Sequence, residues 1–449
     1  MPAALDTPPH TWPTAFRALV ERRHTLLLQG PMGGFFSELA SVLTQQGQHV
    51  TKVHFNGGDE CFWQHPGALR YTGRLEQLAD WLRALMRRER TDAVVLFGQM
   101  RPIHCVARAV ASELGVTVFV CEEGYLRPHY ITIERRGVNA LSRLPRAASF
   151  YAEGPLPRLP PPRPTGQNIR RTALIAAAYG LAALAMRPWY PHQIHHRSLH
   201  PITEPLRWAR SYARHLAYRF TERGLHARLT SPELSKRWFL VPLQVQADSQ
   251  VTHHSRFARI EDFITEVLAS FAAHAPTDAG LVIKHHPMDR AYSDYRGLIQ
   301  RASEQLGIAH RVVYLHDQHL PTLLDHTRGV VTINSTVGLQ ALHHHAPVIT
   351  LGESVYSIPG LVHGGTLADF WQAPGVVDHA LYGRFRHHLI AHTQLNASFY
   401  AEAPAFEDLP APPLRHPPTP ARTGHRLPPV PAERGHGQPA PRIPDVADA

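Results

Sequence analysis

The chain has 449 residues, with 46 Lys+Arg against 36 Asp+Glu, a formal charge of +10, and 33 His that add to it below neutrality. At about 100 to 200 residues per domain the length predicts two or three domains, and an apolar content of 43% excludes wholesale disorder. Cys61, Cys105 and Cys121 have no CxxC spacing and are too few for a disulfide framework, which points to a reducing cytoplasm.

Excess cation favours anionic partners in general. No RNP-type, zinc-finger or aromatic-interleaved basic motif occurs, so no nucleic-acid partner is expected. The opening MPAALDTPPHTW lacks the basic and apolar regions of a secretory signal.

From His24 short apolar runs alternate with helix-like stretches, the pattern of a parallel sheet with crossover helices. Strands are predicted at Thr25 to Gly30, His49 to Phe55, Asp92 to Gly98 and Thr117 to Gly124, with helices near Phe35 to Gln46, Arg74 to Arg88 and Ile103 to Leu114. The proline-dense Gly154 to Pro164 continues neither a helix nor a central strand and reads as a linker. Thr172 to Met186 is uniformly apolar between arginines, shorter than the roughly 18 to 20 residues that span a bilayer. It fits either a helix buried between domains or a membrane-surface or lid helix. Arg207 to Gly224 places many cations on a helix, either a solvated face or a contact with anionic lipid.

The alternation resumes with strands at Arg237 to Val245, Gly280 to Pro287, Arg311 to Asp317, Gly329 to Thr336 and Pro347 to Glu353. Beyond Ala401 the chain turns to proline, alanine and arginine, with 13 of the 40 prolines between Pro404 and Pro444, a composition that predicts a disordered tail. The expected organisation is an α/β domain over 1–153, a linker and helical insertion over 154–235, a second α/β domain over 236–400 and the tail over 401–449.

In open α/β sheets ligands bind beyond the carboxyl ends of strands, so the informative residues are those where an apolar run turns polar. Gln29, Gly30 and Gly33 lie in QGPMGGFF, where glycines permit close backbone approach ahead of a helix. Glu122 and Glu123 end a strand side by side, where mutual repulsion and burial would raise one pKa; a salt bridge to Arg127 or a helix cap is the plainer alternative. Lys284 and His286, in KHHPMD, suit a phosphate, and no third histidine at a recognisable spacing suggests a metal. Asn334, Ser335 and Thr336 end a strand and open a helix, fitting both N-caps and phosphate ligands. Gln244, Gln246 and Asp248 alternate and would share one face of an extended strand, where a sugar is one possible partner.

Taken together, LQGPMGGFF, HFNGGDECFW, EEGYLRPHYITIE, PLQVQADSQV, KHHPMDRAYSDY and INSTVGLQAL resemble the capsular polysaccharide synthesis/export family, and within it the KpsS-type β-Kdo transferases. The resemblance runs from about Leu26 to Trp371. It implies a GT-B-like fold, two Rossmann-like α/β domains facing a central cleft, the first on the acceptor side and the second binding the CMP-sugar. It implies transfer of Kdo from CMP-β-Kdo to a lysophosphatidylglycerol or phosphatidylglycerol acceptor with retention, without cofactor or metal. Glu123 would be nucleophile or base and His286 would protonate the departing phosphate, with Ser335 and Thr336 holding its oxygens. Gln244, Gln246 and Asp248 would line the sugar, Lys284 or Arg127 would balance its carboxylate, and Asn56 and Asp59 join the substrate-binding set. Implied partners are the nucleotide sugar, the anionic phospholipid, the inner-membrane surface at its cytoplasmic face and other capsule proteins. A noncatalytic glycolipid-binding scaffold is the alternative reading.

Overall fold

A computed structural model describes residues 12–156, 158–166, 168–195, 203–246, 251, 254–400 and 406. The expected disordered tail lies, apart from Phe406, outside the described residues, as does Asp248. The chain forms two α/β sheets, GT-B-like in having two Rossmann-type strand orders. Its first sheet contains β1 (His24–Leu27), β2 (His49–His54), β3 (Ala68–Arg70), β4 (Ala93–Phe97), β5 (Thr117–Glu123), β6 (Ile131–Arg135) and β12 (Gln394–Leu395). The order is β12-β6-β5-β4-β1-β2-β3. The second contains β7 (Trp238–Pro242), β8 (Gly280–Lys284), β9 (Val312–Leu315), β10 (Gly329–Thr332) and β11 (Val348–Thr350), ordered β11-β10-β7-β8-β9.

The second sheet pairs in parallel throughout, and its strands are almost continuously apolar because helices cover both faces. Alternation assigns the residues to faces. Leu240, Val282, Val330 and Val348 pack with Leu323, Leu339, Leu342 and Phe385 on one side. Phe239, Val241, Leu281, Ile283, Val331 and Ile349 pack with Phe263, Ile264, Phe271 and Trp371 on the other. Reading outward from β7, the chain proceeds to β8 and β9 on one side, then returns to place β10 and β11 on the other. The gap between β7 and β10 is therefore the topological switch point, where the carboxyl ends of adjacent strands diverge. In the first sheet the same reversal falls between β1 and β4.

Among the described residues two compact units result: those within 12–18, 120–166 and 203–400 form one, and those within 19–119 and 168–195, with 406, the other. These divisions differ from the sequence boundaries at 153 and 235. Crossing from one unit to the other occurs within β5, and the expected insertion is split between the units.

The apolar stretch forms the helix Ile169–Ala185. It packs against the short helix Gly57–Cys61 through glycines: a Cβ on Gly58 would lie 2.5 Å from the Tyr179 ring, and one on Gly57 2.4 Å from the Ala182 carbonyl oxygen. The helix is not wholly buried, since Leu174 and Leu181 are 71% and 68% exposed. Among the described residues no helix is long and apolar enough to cross a membrane.

Candidate functional site

Polar residues converge at the switch point of the second sheet. Gln244 and Asn334 stand two residues beyond β7 and β10. The Gln244 side-chain amide donates to Asn334 Oδ1 at 3.0 Å, and the Asn334 backbone N–H donates to Gln244 Oε1 at 3.3 Å. Asn334 Nδ2 also donates to the His254 carbonyl. Both residues are buried, and the reciprocal bonding satisfies amides that burial would otherwise penalise. Ser335 and Thr336 follow, half-buried, at the start of the helix Val337–His343. Ser335 Oγ accepts from Val337 N–H, while the Thr336 side chain makes no capping bond.

Strand β7 ends at Pro242, so the expected extended run through Gln246 does not form. Gln246 stands in a turn, where its Oε1 accepts the Ile260 N–H at 2.8 Å and anchors the first turn of helix Ile260–His274. The turn breaks the two-residue alternation, and Gln244 and Gln246 do not share a strand face.

At the end of neighbouring β8, Lys284 is buried and donates to the His316 carbonyl at 2.9 Å. Burial lowers its pKa to about 8. His286 is half-buried, and its Nδ1 accepts the Met288 N–H at 3.2 Å, which leaves the ring proton on Nε2. Burial first, then the Lys284 and Arg127 cations, bring its pKa down to about 4. The resting imidazole is therefore neutral, chiefly because it is buried and further because of the Lys284 and Arg127 cations.

Glu122 and Glu123 end β5, and successive side chains of a strand point to opposite faces. Glu122 Oε2 accepts from Asn139 Nδ2 at 2.7 Å, whereas Glu123 is exposed. Arg127, four residues on, is exposed and acts on His286. Tyr125 and Leu126, just past the acidic pair, pack into the apolar cluster that holds Val282 of β8 and Leu315 of β9, within one compact unit.

A buried network behind the acidic pair was not anticipated. The Tyr125 hydroxyl donates to Glu134 Oε1 at 2.6 Å and accepts the Asn139 N–H at 2.6 Å. Ser142 also donates to Glu134, and Arg146 bonds the carbonyls of Asn139 and Ser354. Burial raises the Glu134 carboxyl to about 7. Asn139, which holds Glu122, is itself held by Tyr125 and Arg146. The available signal was the Ile131-Thr132-Ile133-Glu134 run, a strand buried along its length.

Gln29, Asn56 and Asp59 belong to the other unit and are buried. Gln29 lies at that sheet's switch point, donating to the Ile194 carbonyl at 3.1 Å and accepting from Arg101 at 3.2 Å. Asn56 caps helix Gly57–Cys61 and accepts the Asp59 N–H, and Asp59 accepts from Phe55 N–H at 3.0 Å and the Tyr179 hydroxyl at 2.7 Å. These groups are engaged with protein partners and fix helix Ile169–Ala185 in place. Gly30 faces the Phe36 ring, and Gly33 takes a left-handed φ of 102°.

Comparison with known proteins gives the same family as the motifs. A family model described as capsule polysaccharide biosynthesis protein matches residues 92–400. The chain is 41% identical over 390 residues to the Escherichia coli capsule polysaccharide export protein KpsS, covering 86% of this chain and 99% of that one. It is 39% identical over 392 residues to the Neisseria meningitidis capsule polysaccharide modification protein LipB, covering 86% and 93%. Among solved structures, Thermosulfurimonas dismutans KpsC, a beta Kdo 2,7 transferase, aligns with a TM-score of 0.37 and 14% identity over 85% of this chain and 91% of that one. At that level of superposition it adds nothing to the assignment. On the sequence matches and the motifs they span, the chain belongs to the capsule polysaccharide biosynthesis protein family.

Proposed function

We propose that the protein is a retaining β-Kdo glycosyltransferase, moving Kdo from CMP-β-Kdo to a lysophosphatidylglycerol or phosphatidylglycerol acceptor at the cytoplasmic face of the inner membrane. The observation that carries this reading is that Tyr125 and Leu126 of the EEGYLR strand end pack into the same apolar cluster as Val282 and Leu315 of the second sheet, in one compact unit with the KHHP strand end. Membership of a capsule family supplies the context.

In this reading the phosphate of the donor lies against His286, whose Nε2–H donates to a phosphate oxygen. The approaching anion raises the imidazole pKa from its depressed value, so a proton is taken up as negative charge develops on the leaving CMP. Thr336 and Ser335 offer hydroxyls to the same group. Arg127 neutralises the Kdo carboxylate, since Lys284 is engaged with the His316 carbonyl. Glu123, exposed at its strand end, is the nucleophile: its carboxylate attacks the anomeric carbon as the bond to CMP breaks, and the acceptor hydroxyl, losing its proton to solvent, then displaces the carboxylate. Two inversions give retention. Glu122, fixed by Asn139, orients the strand end.

Glu123→Gln and His286→Ala test these assignments, with circular dichroism and thermal melting to verify folding. Loss of CMP release from CMP-β-Kdo in the Glu123 variant is expected, with a loss of about a hundredfold or more for His286→Ala. Full activity in both folded variants contradicts the reading. Lipid binding by the wild type without CMP release identifies the noncatalytic scaffold instead.

A further inference from the structure

The helix Thr203–Thr221 is built the reverse way to an ordinary surface helix, which turns its apolar stripe to the core. Its inward side is polar. Arg214 donates to the Arg290 carbonyl at 2.6 Å, His215 Nδ1 meets Asp317 Oδ2 at 3.0 Å, and Tyr218 stacks on His316 with centroids 3.6 Å apart. Just past the helix, buried Glu222 receives the His316 N–H at 3.0 Å and bonds its Nδ1 at 2.6 Å. Positions 207, 214, 215, 218 and 222 recur at helical spacing on this one side. The outward side carries Leu206, Tyr212, Leu216 and Phe220, at 63%, 65%, 40% and 66% exposure, with Trp208 at 48% on its margin.

Among the described residues the exposed charges beside this stripe are cationic: Arg210, Arg219 and Arg223 are all exposed. Aromatic and leucine side chains rimmed by arginine are the composition of a helix that lies in a bilayer interface, where the apolar side enters the acyl boundary and the cations meet anionic headgroups. A protein partner of matching shape would not by itself call for this one-signed rim. Helix Ile169–Ala185, in the other unit, repeats the chemistry independently, with Leu174, Leu181 and Leu184 exposed between Arg170, Arg171 and Arg187.

We infer that the outward face of the Thr203–Thr221 helix is a docking surface for an anionic phospholipid bilayer. This deepens the lipid-acceptor reading. Glu222 ties the helix to His316, whose carbonyl receives Lys284 at the end of β8. The bilayer-facing helix is thereby bonded to the strand end assigned to the donor phosphate.

Co-sedimentation of the full chain with vesicles tests the inference without donor or acceptor turnover. Wild type should sediment with phosphatidylcholine vesicles containing about one-third phosphatidylglycerol, not with phosphatidylcholine alone, and salt should weaken the binding. The Leu216→Glu/Phe220→Glu double variant should lose about tenfold or more in affinity while keeping its circular dichroism and its melting temperature. Should that variant misfold, Arg210→Gln, Arg219→Gln and Arg223→Gln should each weaken binding to anionic vesicles by about fivefold. Wild type that binds neither vesicle, or variants that bind like wild type, overturns the inference. So does a dimer seen by light scattering that vanishes in the double variant without vesicle binding, since a second copy then covers the face. Vesicle binding without any transferase activity would contradict the proposed function and leave this surface standing.

Discussion

Gln244 and Asn334 exchange two hydrogen bonds across the gap between β7 and β10, each standing two residues beyond its strand. The pair pins together the two strand ends that diverge at the switch point and sets the position from which Ser335 and Thr336 emerge. Asn334→Ala removes the acceptor of the buried Gln244 side-chain amide and one of the donors to the His254 carbonyl, which keeps the Glu353 N–H. A destabilisation of about 1 to 3 kcal/mol is expected from thermal or urea unfolding, with weaker CMP binding by calorimetry. An unchanged melting temperature would show that the pair is not under the constraint described.

Glu134 makes stability depend on pH in a definite direction. Its carboxyl is raised from 4.5 to about 7 in the folded chain, so between these values the folded state holds a proton that the unfolded state has released. Stability contributed by the protonated carboxyl is full below about pH 4.5 and is lost as pH rises toward 7. Glu134→Gln, which keeps the donor–acceptor shape without the charge, should flatten this part of the stability profile and leave the variant more stable than wild type at pH 8. A profile that is the same in both proteins would refute the assignment.

His286 titrates the opposite way. With the folded pKa lowered to about 4 from 6.5, its contribution to stability is full above 6.5 and is lost as pH falls through that value toward 4. In histidine-labelled protein, the imidazole resonance absent from His286→Gln should titrate near pH 4 and move upward when CMP is added. A midpoint near 6.5 that ignores CMP would remove His286 from the phosphate site.

Tyr179 and Gly58 hold the Ile169–Ala185 helix. Alanine at Gly58 would bring a Cβ within 2.5 Å of the Tyr179 ring, so Gly58→Ala should loosen the helix and speed limited proteolysis around it. Tyr179→Phe should cost about 1 to 3 kcal/mol by taking the hydroxyl from the buried Asp59 carboxylate. Proteolysis and unfolding at the wild-type rate in both variants would contradict this packing.

The nine strands marked by apolar runs are all present, because a strand covered on both faces needs a continuous run of apolar residues and such runs are visible without tertiary information. The short β3, exposed at Ala68 and Arg70, and the two-residue β12 carry no such signal. Gln244 and Asn334 were legible as polar residues after apolar runs, but their reciprocal bonding depends on strand order, which alternation does not encode. The Gln246 turn escaped notice because alternating polar residues look the same in a strand and in a loop. The neutral state of His286 depends first on burial, then on Lys284 and on Arg127, 159 positions earlier in the chain, none of which alternation encodes, and the Glu134 network depends on the loop that carries Asn139 and Ser142. The outward apolar face of helix Thr203–Thr221 was hidden by its arginines, which suggest solvent until Arg214 is seen to face inward.

The most direct test is to incubate purified protein with enzymatically generated CMP-β-Kdo and a fluorescent lysophosphatidylglycerol, following the mass and anomeric configuration of the lipid product. Addition of β-linked Kdo with stoichiometric release of CMP, abolished by Glu123→Gln, is the predicted result. Intact donor and unmodified lipid, with the protein folded and the lipid bound, would contradict it.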